Sequence, residues 1–174
     1  VGAAARARDA ATLPAHRIVH EDEDIVVVDK PAGLLTAPTP ESDRGNLFDL
    51  LQRSLGQTLF LVHRLDLETS GLVVFARSDA ANRTLSERVR VHDFERQYVS
   101  VLRGQVSWDR RTVDHPVGGK RAVSHFDVIE RFAQEATLVQ VRLETGRTHQ
   151  IRLHGLHEGH PVLGDRKYGS VTAM

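Results

Sequence analysis

Charged residues alternate with leucines where an apolar run gives way to a polar one, in Leu61-Val62-His63-Arg64-Leu65-Asp66-Leu67-Glu68-Thr69-Ser70-Gly71-Leu72. In an extended chain, side chains two positions apart share a face. Arg64 and Asp66 therefore project together while Leu65 points back to the core. A carboxylate and a guanidinium on one face of a strand end make a reasonable active-site geometry. Spacing alone also admits a structural reading, which the usual behaviour of ion pairs favours: Asp66 caps the turn and Arg64 pairs with a surface acid. A second cluster is His149, His154, His157 and His160. Histidines on a short helix often hold zinc, but the H-E-x-x-H order is missing and the chain has no cysteine. Contacts to phosphate and hydrogen bonds at a helix end are the expected roles, with no metal. His63 is expected to order the turn that carries Asp66.

Several elements must position these residues. Ile25–Val28 reads as a buried strand closed by the turn Asp29-Lys30-Pro31-Ala32-Gly33, in which Pro31 and Gly33 supply the dihedrals of a tight turn. Asn46 can cap a helix over Leu47–Leu55, with Leu47, Leu50, Leu51 and Leu55 on one face and Gly56 as the stop. Leu59–Val62 and Leu72–Ala76 read as strands joined by the polar segment 63–71. Ser78 or Asp79 caps a helix over Ala80–Val89. Gln97–Leu102 alternates as a strand, and Ser124–Ile129 and Thr137–Leu143 form a strand pair. Thr145 or Thr148 opens a short helix ending near Leu156. The absence of a βαβ rhythm gives an α+β domain with a mixed, mainly antiparallel sheet.

Five blocks, in order, resemble one family. His63-Arg64-Leu65-Asp66-Leu67-Glu68-Thr69-Ser70-Gly71-Leu72 resembles the H-R-L-D-x-x-T-S-G-L signature of the RluA-type RNA pseudouridine synthases without a mismatch. Val28-Asp29-Lys30-Pro31-Ala32-Gly33-Leu34 resembles the family's D-K-P-x-G strand and turn. Arg96-Gln97-Tyr98 resembles its K-x-Y motif, with arginine for lysine. Thr145-Gly146-Arg147-Thr148-His149-Gln150-Ile151-Arg152-Leu153-His154 resembles T-G-R-T-H-Q-I-R-x-H. His160-Pro161-Val162-Leu163-Gly164-Asp165, with Tyr168-Gly169, resembles H-P-I-x-G-D…Y-G. The resemblance spans about residues 16–170 and implies the pseudouridine synthase catalytic fold, with flanking helices and a central cleft. It implies Asp66 as the nucleophile that attacks ribose or base, Tyr98 stacked near the target base and taking a proton, and Arg152 paired with Asp66. Arg64 would fill the space left by the flipped uridine. Ile151 would wall the base, although a plain core contact accounts for it nearly as well. His63, Thr69, Arg147 and His149 complete the implied substrate-binding set. No cofactor is implied.

With 23 basic and 23 acidic residues the formal charge is zero, which excludes a histone-like polyelectrolyte but not a nucleic-acid enzyme with segregated charge. Residues 20–49 carry eight acids against Lys30 and Arg44, whereas residues 77–121 carry ten basic residues against six acids. The expected RNA track is Arg83, Arg88, Arg90, Arg96, Arg103, Arg110, Arg111, Lys120 and Arg121, with a solvated basic face as the plain alternative. Lack of cysteine fits a reducing cytosol. No apolar run approaches the ~20 residues of a membrane helix, so no membrane partner is expected. The Ala- and Arg-rich residues 1–15 read as a tail or linker, and residues 16–174 as a catalytic domain lacking the family's last strands. Two rival readings follow: a truncated relative that binds ribosomal or transfer RNA without turnover, and a histidine-cluster metal hydrolase.

Overall fold

The computed structural model describes residues 16–39 and 45–169; the expected tail over residues 1–15 lies outside them. The described chain divides into two compact units, the first running to Asp93 and the second starting at Phe94.

In the first unit the strands are β1 (Arg17–Glu21), β2 (Ile25–Lys30), β3 (Phe60–Leu61) and β4 (Gly71–Ala76), and the helices are α1 (Leu47–Leu55) and α2 (Asp79–Arg90). The strands form one antiparallel sheet in the order β1-β2-β4-β3. Alternation on β2 buries Val26, Val28 and Lys30, which lie with Val73 and Phe75 of β4 and with Leu47 and Leu51 of α1 among the buried residues. Phe48 stacks on Phe75 with ring centroids 5.9 Å apart. α1 begins where Asn46 accepts a hydrogen bond from the Asp49 amide at 2.9 Å, and ends at Gly56, whose φ of 65° is left-handed. Ser78, rather than Asp79, caps α2 by accepting from the Ala81 amide at 3.1 Å. An open depression between the start of β2 and α2, lined by Asp24, Ile25, Ala80, Ala81, Thr84 and Leu85, holds none of the expected site residues.

The second unit contains β5 (Gln97–Arg103), β6 (Arg110–Asp114), β7 (Val123–Phe132), β8 (Ala136–Leu143) and α3 (Gln150–His157). Its sheet runs β5-β8-β7-β6, again antiparallel throughout. Leu102, Val106, Val113, Phe126, Val139 and Val141 form the core, and Trp108 meets Phe126 edge-on.

The α+β reading therefore holds, but the strands divide into two antiparallel sheets instead of one mixed sheet. Two strands were not anticipated. β1 is exposed along its whole length and β6 buries only Val113, so neither carries the alternation that marks a half-buried strand. The start of α3 also differs from expectation. Its N-cap is His149 in the left-handed region at φ 58°, without a side-chain cap, and neither Thr145 nor Thr148 fills that role.

Candidate active site

In the first unit, the segment between β3 and β4 is fastened at alternate residues. The His63 ring accepts at Nε2 from the Val74 amide at 3.1 Å. Leu65 donates its N–H to Thr36 Oγ1 at 3.1 Å, and the Thr36 hydroxyl donates back to the Leu65 carbonyl at 2.8 Å. The Leu67 carbonyl accepts from the Gly33 amide at 2.8 Å, an approach made from a turn where Gly33 sits at φ 82°. Leu65 is buried, Arg64 and Glu68 are exposed, and Asp66 is partly exposed between them. The Thr69 amide closes the turn onto the Asp66 carbonyl at 3.1 Å. His63 thus ties this loop to β4, and the loop presents Asp66 on a backbone pinned on either side of it.

Two residues behind the loop escaped the sequence reading. Thr36 is buried, and its hydroxyl is used twice. Lys30 is wholly buried, and its ammonium donates to the carbonyls of Pro31 (2.9 Å), Leu34 (2.8 Å) and Leu67 (3.3 Å). Three donors meet three acceptors. Burial pulls the Lys30 pKa down to about 8, against the opposing fields of Asp66 and Glu68, which favour the charged form. The available signal was a lysine at the inward-facing end of an apolar strand.

In the second unit, Tyr98 on β5 and Ile151 on α3 both rest, partly buried, against the core cluster. For Ile151 this is compatible with the plain core contact as well as with a wall for a base. Arg96 reaches Glu144 through a 3.0 Å bond to its carbonyl, and a side chain on Gly146 would collide with the guanidinium, so the glycine leaves room for the arginine. The guanidinium of Arg152 donates from Nε and Nη2 to the two Asp165 oxygens at 2.7 and 2.9 Å, and lies 4.9 Å from the centroid of the Tyr168 ring. His149 Nδ1 and the Tyr168 hydroxyl are 2.9 Å apart.

Gln150 fixes this segment to β7. Its Oε1 accepts from the Thr145 hydroxyl (2.8 Å) and the Arg147 amide (2.9 Å), and its Nε2 donates to the Val123 carbonyl (3.0 Å) and Ser124 Oγ (2.9 Å). Ser124 passes the chain on to His154 Nδ1 at 2.9 Å, and His154 Nε2 donates to the His115 carbonyl at 2.9 Å. His154 is fully buried, so of the two roles expected for the histidine cluster, phosphate contact and hydrogen bonding, it has the second. Burial also lowers its pKa, so the folded protein holds it neutral. The unfolded chain takes up the proton near pH 6.5 and the folded chain does not, so stability should fall as pH drops below about 6.5. Urea unfolding at pH 5 and pH 7 would check this. His154→Gln should flatten that slope, and an unchanged slope would refute the assignment.

The other histidines are also engaged: His157 stacks on His115 with centroids 3.8 Å apart, and His160 Nδ1 lies 2.9 Å from the Arg103 carbonyl. Among the described residues no three His, Asp or Glu side chains converge as a metal-binding group. Of the expected basic track, Arg90, Arg110, Arg111 and Arg121 pair with Glu87, Asp127, Glu158 and Glu144 respectively. Much of that charge is therefore offset locally.

A family model described as RNA pseudouridylate synthase matches residues 24–157, most of the chain. The chain belongs to this family. It is 37% identical to the dual-specificity RNA pseudouridine synthase RluA of Salmonella typhimurium over 90% of this chain and 78% of that protein. It is 39% identical to the ribosomal large subunit pseudouridine synthase D of Pseudomonas aeruginosa over 87% of this chain. The solved structure of human RNA pseudouridylate synthase domain containing 1 matches with a TM-score of 0.78 and 25% identity, covering 92% of this chain and 72% of that one. These comparisons give an RluA-type pseudouridine synthase fold. The chain spans 53% of the Pseudomonas protein, and 57% and 55% of relatives from Bacillus subtilis and Aquifex aeolicus, or just over half their length. Among the described residues no helix is long and apolar enough to cross a membrane.

Proposed function

We propose that this chain isomerises uridine to pseudouridine in structured RNA, with Asp66 as the nucleophile. The observation that carries the reading is the loop holding Asp66, which is tied down through the His63 ring and the backbone of residues 65 and 67. A carboxylate presented from so constrained a backbone needs little reorganisation to attack. In the reaction Asp66 bonds transiently to the nucleotide, the N1–C1′ bond breaks, the uracil is re-attached through C5, and the bond to Asp66 breaks again to return the carboxylate. The C5 proton leaves to solvent and N1 regains one, so no external oxidant or reductant is required. Tyr98 is assigned the C5 proton transfer and Arg152 the pairing that keeps Asp66 charged. Arg64 takes the place of the extruded nucleotide, Ile151 contacts its base, and His63, Thr69, Arg147 and His149 support the substrate. The name of the ribosomal large subunit pseudouridine synthase D supports ribosomal RNA as the first substrate to try; transfer RNA is the second, and the reading assigns the cytoplasm as the place of action.

The test is tritium release from RNA carrying 5-tritiated uridine, made as full-length ribosomal and transfer transcripts. Stoichiometric release from a single site on one of them is expected. No release from any of these RNAs, with tight binding retained, would replace this reading by that of a binding module.

A further inference from the structure

We infer that Asp165, with Tyr168, is the positioning residue for Arg152. The assignment rests on the proposed role of Arg152 at the reacting site. Asp165 occupies a turn after α3, and its side chain is 3% exposed. One of its oxygens, Oδ1, accepts from Arg152 Nη2 and from the amides of Lys167 (2.9 Å) and Tyr168 (3.0 Å), while Oδ2 accepts from Arg152 Nε. The carboxylate is thus bound to its own turn by two backbone donors and offers a two-pronged fork to the guanidinium. A bidentate pair of this kind fixes the plane of the guanidinium as well as its position. The Tyr168 ring lies 4.9 Å from the guanidinium carbon, and its hydroxyl meets His149 at the start of α3. A backbone clasp at Gly169 tightens the same turn: its amide donates to the Asp165 carbonyl at 2.8 Å, and an added Cβ there would strike that carbonyl. These contacts link the two sequence blocks 145–154 and 160–169. The Nε–Nη2 edge of Arg152 is committed to Asp165. The hydrogen bonds hold the Asp165 carboxyl down to about 2, so the fork stays ionised throughout the neutral range.

The experiment compares wild type, Asp165→Asn and Asp165→Glu in two ways. The Arg152 Nε–H resonance, assigned by its loss in Arg152→Lys, reports hydrogen exchange with water. Tritium release gives kcat and KM separately. Asp165→Asn should speed exchange of the Nε–H at least about tenfold and lower kcat about 10–100-fold, with KM within about threefold. Asp165→Glu, which keeps the charge but lengthens the reach, should recover part of both losses, and it serves as the working variant if the asparagine protein does not fold. Unchanged Nε–H protection in either variant would overturn the inference, as would a rise in KM with kcat intact. The exchange measurement needs no turnover. If wild type proved inactive, the proposed function would fail while the link between Asp165 and Arg152 would still be decided.

Discussion

Asp66→Asn is expected to abolish tritium release while leaving RNA affinity within about threefold of wild type. Asparagine has nearly the shape of aspartate, and the loop is secured through the backbone of Leu65 and Leu67 and the ring of His63, none of which the substitution touches. What is lost is the negative oxygen that attacks. A second, measurable effect lies behind the loop. The Asp66 charge is one of two that support the protonated form of Lys30, so its removal should lower the Lys30 pKa further below about 8. Turnover above about 1% of wild type would mean that the nucleophile is elsewhere, since an amide cannot replace the carboxylate.

Lys30→Met should be the most damaging substitution for stability. Methionine fills the space, but the carbonyls of Pro31 and Leu34 lose their donor, and that of Leu67 keeps only the Gly33 amide. Buried carbonyls without partners cost about 1–3 kcal/mol each, and relief from burying the charge offsets part of this, for a net loss of about 2–4 kcal/mol. The sign of the pH dependence separates this from simple packing damage. Lys30 titrates at about 8 in the folded state, against 10.5 when unperturbed. Between those values the unfolded chain binds more protons than the folded one, so the wild-type contribution from this residue rises with pH across that window and is flat below it. The mutant lacks this term. The stability gap between the two proteins should therefore widen by about 1–2 kcal/mol from pH 7.5 to pH 9.5. Denaturant unfolding at both values measures it, and a gap that stays constant would show that Lys30 is not a strained, buried cation.

The parts of this molecule that could be read from its sequence are those where residue type and environment agree. α1 runs from Asn46 to Gly56 as its cap and stop dictate, and Gly71–Ala76 and Gln97–Arg103 follow their apolar patterning. The loop around Asp66 was legible because charged and leucine residues alternate there, so each outward side chain implies an inward neighbour. The parts that could not be read set residue type against environment. Lys30 and His154 are polar groups in dry surroundings, and only their hydrogen-bond partners explain their burial: a turn folded back on itself together with Leu67 for Lys30, and Ser124 and His115, distant in sequence, for His154. Gln150, inside α3, takes over work that the reading gave to Thr145 or Thr148 as caps, because its amide reaches both the preceding loop and β7. Asp165 was visible only as part of a motif. Its bond to Arg152 depends on a turn whose shape no local pattern reveals.

The saturation of Gln150, with both oxygen lone pairs and both amide protons in use, constrains how this protein can drift over generations. Glutamate would bring a repelled oxygen to the Val123 carbonyl, and asparagine would fall short by one methylene. Each alternative strands a neighbour's group in a place water does not reach. Thr145, Ser124, Gln150 and His154 should therefore be inherited as a block: single exchanges are purged, and only simultaneous replacements that restore the pairing survive.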